Sequence, residues 1–147
     1  MGIFSGFGKK QKKEEAVDDN YIETILTHSK DEPLGVSKQN VIYAGYNELG
    51  GYYYFQTYII GAFKLKTKTG AKLLIEGNNY TLDLKSDMDE IESDQIDDFI
   101  KGFVTRIDFE IEKEAIENIK RSTIKQLVLT CKKQKIVFPK YESDEEE

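Results

Sequence analysis

The chain has 147 residues and a formal net charge of −6, with 33% charged and 39% hydrophobic residues. This length suits one domain with its own core, and the balance is typical of a soluble globular protein. No apolar run reaches the roughly 18 residues that a membrane-spanning helix needs. The acidic balance and the scarcity of arginine (Arg106 and Arg121 alone) argue against nucleic acid as a partner. The single cysteine, Cys131, excludes an internal disulfide and favours a cytoplasmic location.

Composition divides the chain into three segments. Residues 1–17 are predicted to form a flexible N-terminal arm, because their three glycines disfavour a helix. Apolar residues followed by lysines leave weak membrane-surface contact by residues 3–13 as an alternative. Residues 18–140 are predicted to form a single β-rich domain. Residues 141–147 carry five acids and no base, which is typical of a disordered acidic tail.

The clearest pattern lies in residues 52–84. Alternate apolar residues over 53–65 predict a long strand with one face against a core. Gly61 interrupts this run and predicts a bulge or a sharp bend. Residues 71–85 hold two shorter alternating runs around a Gly-Asn-Asn turn, and they predict a β-hairpin. We expect these three strands to form an antiparallel meander with a shared apolar face.

The elements before and after this stretch have weaker patterns. Residues 18–28 fit a helix or a strand, and we favour a strand because Ile, Thr and Leu alternate there. Residues 34–51 predict a short apolar strand followed by a loop that Gly50 and Gly51 close. The acidic connection 86–98 predicts a helical turn at its end, where apolar residues share a helical face.

The C-terminal part has a regular pattern. Alternation predicts a strand over 103–111. An apolar stripe with acids at its start and bases at its end predicts a short helix over 112–121. Two further strands are predicted over 124–131 and 135–139. The whole predicts a mainly β fold, a single antiparallel β-sandwich or partly open β-barrel of roughly six to eight strands with one or two short inserted helices.

The residues that carry chemistry form no catalytic or metal motif. The only histidine, His28, and the only cysteine, Cys131, are far apart in sequence, and Cys131 shares a register with apolar residues. The acids of 87–98 begin like a calcium loop, but the third ligand position and the turn glycine are missing. We therefore predict no catalysis, no cofactor and no metal.

A tyrosine cluster with neighbouring lysines is the candidate interaction face. Tyrosine joins an apolar body to a polar tip and is enriched in protein-binding surfaces. The face comprises Tyr43, Tyr46, Tyr52, Tyr54, Tyr58, Lys64 and Lys66. We predict a non-catalytic cytoplasmic protein-interaction module with an unknown protein partner. The alternatives are a small-ligand binding protein with a tyrosine-lined cavity and, with less support, a single-stranded nucleic-acid binder.

Overall fold

The computed structural model describes residues 20–96 and 100–142. The proposed N-terminal arm, with its membrane-contact hypothesis for residues 3–13, lies outside the described residues, as do residues 143–147 of the acidic tail.

The described residues form two helices and eleven strands. Helix α1 spans Asn20–Thr27 and α2 spans Lys113–Arg121. The strands are β1 (Gly35–Val36), β2 (Asn40–Leu49), β3 (Tyr52–Gly61), β4 (Lys66–Thr67), β5 (Lys72–Gly77), β6 (Thr81–Lys85), β7 (Ile91–Glu92), β8 (Asp94–Ile96), β9 (Gly102–Ile111), β10 (Ile124–Cys131) and β11 (Gln134–Pro139).

The strands form two main antiparallel sheets. A five-stranded sheet has the order β1-β2-β3-β9-β8, a four-stranded sheet has the order β11-β10-β5-β6, and β4 pairs with β7. Isolated bridges between Gly35 and Lys140 and between Ser86 and Phe109 link the two sheets, which do not close into a barrel. The predicted mainly β, antiparallel fold with one or two short helices is confirmed, and the described residues form two.

The core lies between the two sheets and is built by the inward-facing residues of each strand. Along β3 and β9, every second side chain is buried, as the period of two requires. Helix α2 contributes Ile116 and Ile119 to the same core. The five-stranded sheet contributes Ile42, Phe55, Ile59, Ile107, Phe109 and Ile111, and the four-stranded sheet contributes Leu73, Ile75, Leu84, Leu127, Leu129, Cys131 and Phe138.

Residues 18–28 do not form the predicted strand. From Asn20 they form α1, whose Ile25 is buried against Val41 and Tyr43 of β2. These two β2 side chains point away from the main core, so α1 covers part of the outer face of the five-stranded sheet. A helix presents one stripe of apolar side chains to that patch, and this packing overrides the strand propensity of Ile and Thr.

The predicted meander is wrong, because β3 and the β5–β6 hairpin belong to different sheets. Strand β3 lies between β2 and β9, whereas β5 lies between β6 and β10. The predicted bend at Gly61 is present: Gly61 ends β3 with φ 152°, and a Cβ there would overlap the carbonyl oxygen of Gln39. The Asn40 side chain accepts a hydrogen bond from the Phe63 backbone at 2.9 Å, which holds the chain as it leaves the sheet.

The predicted loop before Gly50 is also wrong, because β2 continues to Leu49. Its residues pair one by one with β3, from Asn40 opposite Gly61 to Leu49 opposite Tyr52. Gly50 and Gly51 have φ of 62° and 87°, as a two-residue hairpin turn with the favoured twist requires.

Up to Ile96 the acidic connection forms two short strands, Ile91–Glu92 and Asp94–Ile96, and most of the predicted helical turn falls on residues outside the described part. The Ser93 hydroxyl lies 2.6 Å from the Thr105 hydroxyl and accepts a hydrogen bond from the Leu65 backbone at 2.8 Å. Asp94–Ile96 then pairs with β9, and residues 97–99 lie outside the described part. The C-terminal predictions are confirmed, with β9, α2, β10 and β11 within one residue of their expected bounds.

Candidate interaction face

Three tyrosines of β3 lie in one row on the outer face of the five-stranded sheet. Tyr52, Tyr54 and Tyr58 point away from the core because they alternate with the inward-facing Phe55 and Ile59. Tyr52 is 60% exposed and Tyr58 is 43% exposed. We call these three residues the tyrosine row.

Helix α1 bounds the tyrosine row at its Tyr58 end. It covers the outward residues at the start of β2, so that Tyr43 is buried. Tyr43 stands directly opposite Tyr58 on the neighbouring strand, and the exposed surface begins at that pair. At the other limit, Leu49 stands opposite Tyr52 at the hairpin turn and is 67% exposed. The exposed face therefore runs from the edge of α1 to the hairpin turn.

Strand β9 supplies the polar side of this face. Arg106 stands opposite Tyr58, with its guanidinium carbon 5.8 Å from the centre of the Tyr58 ring. A salt bridge of 3.2 Å joins Arg106 to Asp108 on the same strand. An exposed ion pair of this kind adds little to stability. It does hold the guanidinium over the aromatic ring, so the flat surface of Tyr58 continues onto Arg106.

The charges beside the tyrosine row are mainly acidic. Glu110 stands opposite Tyr54, and Asp108 stands opposite Gln56. Partial loss of hydration raises the pKa of Tyr54, and the negative charges of Asp87 and Glu110 raise it further. Tyr54 is therefore neutral at physiological pH, and its hydroxyl keeps the proton that makes it a hydrogen-bond donor.

The other residues of the predicted face lie elsewhere. Tyr46 stands opposite Phe55 in the inward register, with ring centres 5.4 Å apart, and the Lys120 ammonium lies 5.5 Å from the Tyr46 ring centre. Lys64 follows the bend, and its ammonium lies 5.4 Å from the Phe103 ring centre. Lys66 belongs to β4 and stands opposite Glu92. The structure brings Tyr52, Tyr54 and Tyr58 together and separates Tyr46, Lys64 and Lys66 from them.

The reactive residues lie outside the face. Cys131 is buried in the core at the end of β10, where burial raises the pKa of its thiol. His28 follows α1, and its Nδ1 lies 3.0 Å from the Thr24 carbonyl oxygen. Among the described residues, no three acids, histidines or cysteines come together as metal ligands. Neither described helix is long and apolar enough to cross a membrane.

Arg106 and Asp108 are face residues that the sequence did not reveal. Alternation along β9 places both of them on its outward side, which is visible in the sequence. Their position beside the tyrosine row depends on the pairing of β3 with β9, and residue patterns alone did not predict that pairing. Comparison with family models, with curated proteins and with solved structures finds no match for this chain.

Proposed function

We propose that this protein is a non-catalytic, cytoplasmic protein-interaction module that binds a partner protein through the tyrosine row and Arg106. The observation that carries the proposal is the row of three tyrosines on one sheet face, with Tyr52 and Tyr58 exposed, Tyr54 half-buried, and a guanidinium held over the ring of Tyr58. Tyrosine and arginine are enriched among the residues that dominate binding energy in protein interfaces.

The rigidity of the face supports the proposal. Strand β3 is paired on both sides, with β2 and with β9, so the backbone under the tyrosine row is fixed before a partner arrives. A tyrosine side chain has only two rotatable bonds, so its ordering on binding costs little conformational entropy. Covering the three rings and Leu49 would hide on the order of a few hundred Å² of surface. That area suits the centre of an interface of about 800 Å² per partner.

The surrounding charge indicates the chemistry of the partner. Asp87 and Glu110 act on Tyr54, and Asp108 lies beside Arg106. A partner with basic residues around an apolar or aromatic centre would complement this surface, whereas a phosphate backbone would be repelled. The lysines that would favour nucleic acid, Lys64 and Lys66, lie beyond the bend at Gly61.

The test is a comparison of partner binding by matched variants. Proteins captured from cells by the wild-type chain are purified, and their affinities are measured by calorimetry. The variant Tyr52→Ser/Tyr54→Ser/Tyr58→Ser removes three rings that point away from the core, and it should leave the chain folded. Because interface hot spots cost about 2 kcal/mol or more when truncated, the variant should bind at least about 30-fold more weakly.

Two controls separate recognition from folding. Tyr141→Ser removes a tyrosine outside the face and should leave the affinity unchanged. Circular dichroism of each variant should match that of the wild-type chain. Binding by the triple variant as tightly as by the wild-type chain would refute the proposal. Unfolding of the triple variant would show that these tyrosines belong to the core, which would also contradict it.

A further inference from the structure

The outer face of the four-stranded sheet is a second open surface. A groove of about 400 Å³ lies over it and is lined only by residues of β5, β6, β10 and β11. The inward side of the same sheet forms the core, so this outer side has no other sheet against it within the described residues.

Strand register arranges the outer side chains in three rows across the sheet. Residues that stand opposite each other in antiparallel strands share a face and lie side by side. The first row is basic: Lys85, Lys72, Thr130 and Lys135. The second row is apolar except at its edge: Asp83, Leu74, Val128 and Val137. The third row carries an acid: Thr81, Glu76, Gln126 and Pro139.

The apolar row has the properties of the centre of an interface. Val128 points away from the core, yet only 8% of it is exposed, because Leu74 and Val137 flank it. Val137 is 40% exposed. In the third row, the Gln126 amide donates a hydrogen bond of 2.6 Å to the Glu76 carboxylate and so holds that charge in place. An apolar strip between charges of opposite sign is what a specific partner surface must complement.

We propose that the occupant of this face is a second copy of the chain, in a symmetric dimer with the two four-stranded sheets stacked face to face. Twofold axes in the plane between two stacked sheets can run along the strands or across them. An axis along the strands would place the basic row on the basic row. An axis across the strands places the first row on the third, so that Lys72 faces Glu76 of the second copy and Glu76 faces its Lys72. The apolar row then packs on itself.

The charge pattern therefore selects one arrangement. Only the axis across the strands forms two symmetric Lys72–Glu76 pairs and covers Leu74, Val128 and Val137 at the same time. The two Asp83 carboxylates also face each other, but they lie on the edge strand, where water and salt screen their repulsion. A patch of four short strands is small for a protein interface, so the dimer should be a weak one.

The dimer does not depend on the function proposed for the tyrosine row. The tyrosine row lies on the other sheet and remains exposed in the dimer. Two such faces on opposite sides would let one dimer engage two sites of a partner, which raises its overall affinity without any new contact.

Sedimentation of the full chain, from about 1 to about 500 μM, tests the dimer. The wild-type chain should dimerise within this range. The variants Lys72→Glu and Glu76→Lys each place like charges together, so each should raise the dimer dissociation constant at least about tenfold. Lys38→Glu makes the same charge change on an exposed loop and should leave the dimer dissociation constant unaltered.

Mixing the two single variants gives the decisive result. In a mixed pair, the glutamate introduced by Lys72→Glu faces the lysine introduced by Glu76→Lys. The native Glu76 of the first variant faces the native Lys72 of the second, so attraction is restored at both contacts. An equimolar mixture of the two variants should therefore form a heterodimer at concentrations where neither variant dimerises alone. A wild-type chain that stays monomeric, a dimer that resists both substitutions, or a mixture that does not associate would each overturn the proposal.

Discussion

The position of Phe109 provides a sharp test of the two-sheet arrangement. Its side chain is fully buried between the sheets and stands opposite Phe55 on β3. Phe109→Ala would remove the ring and leave a cavity that two paired sheets cannot easily close. Such a change costs about 3–5 kcal/mol of the free energy of unfolding. Since the total free energy of unfolding of a small domain is only about 5–15 kcal/mol, Phe109→Ala should remove a large fraction of it.

The adjacent residue is the matched control. Glu110 is exposed on the opposite face of the same strand, and Glu110→Ala should change the free energy of unfolding by no more than about 0.5 kcal/mol. Urea unfolding followed by circular dichroism gives the free energy of unfolding of both variants. The circular dichroism signal does not require tryptophan, which the protein lacks. Equal costs at the two positions, or a larger cost at Glu110, would refute the register of β9 and with it the placement of Arg106.

Three further predictions concern α1, a buried hydroxyl and the thiol. Ile25→Ala should lower the free energy of unfolding by about 2–5 kcal/mol in urea titrations, because Ile25 holds α1 on the sheet. Thr57→Val should cost about 1 kcal/mol in the same assay, since the buried Thr57 hydroxyl donates a 2.7 Å hydrogen bond to the Ile107 carbonyl. Burial raises the pKa of Cys131, so a disulfide reagent near pH 8 should label the thiol only after urea is added.

The free energy of unfolding at alkaline pH tests the burial of Tyr43. Burial raises the pKa of the Tyr43 phenol, the neighbouring Ser29 hydroxyl offsets part of the rise, and the negative charge of Asp31 adds to it. In the unfolded chain the Tyr43 phenol loses its proton near pH 10, whereas in the folded chain it keeps the proton to higher pH. The free energy of unfolding therefore falls as the pH rises above about 10. Tyr43→Phe should lose less stability than the wild-type chain over that range in urea titrations. An identical loss in both proteins would contradict the buried position of Tyr43.

Local patterns predicted most strands, because a half-buried strand imposes a period of two on its own residues. The alternation in β3, β9 and β10 is of this kind. The second half of β2 lacked such a pattern, because neither of its faces carries a run of apolar residues: Gly45 and Asn47 lie on the outward face, and Glu48 lies on the inward face. Backbone pairing with β3, rather than side-chain burial, keeps that part of the chain in the sheet.

The arrangement of the strands depended on contacts between distant residues. The bend at Gly61 was visible in the sequence, but its consequence, the transfer of the chain out of the sheet, depends on Asn40, 21 positions earlier. Helix α1 likewise depends on Val41 and Tyr43, which present an apolar patch for it to cover. Propensity within one segment contains no information about such a partner.

The candidate face was predicted in part for the same reason. Tyr52, Tyr54 and Tyr58 share a register within one strand, so the sequence placed them together. Tyr46 entered the predicted face through its proximity in sequence, yet the pairing of β2 with β3 places it in the inward register. Arg106 was missed because it joins the tyrosine row from a strand 48 positions further along the chain.

Photo-cross-linking in living cells tests most directly whether the tyrosine row binds a protein. A benzophenone amino acid replaces Tyr52 in the full chain and, as a control, the exposed Glu117 of α2. We expect a discrete covalent adduct with a partner protein from position 52, and none of that mass from position 117. Absence of an adduct from position 52, or the same adduct in equal yield from position 117, would contradict the assignment of this face.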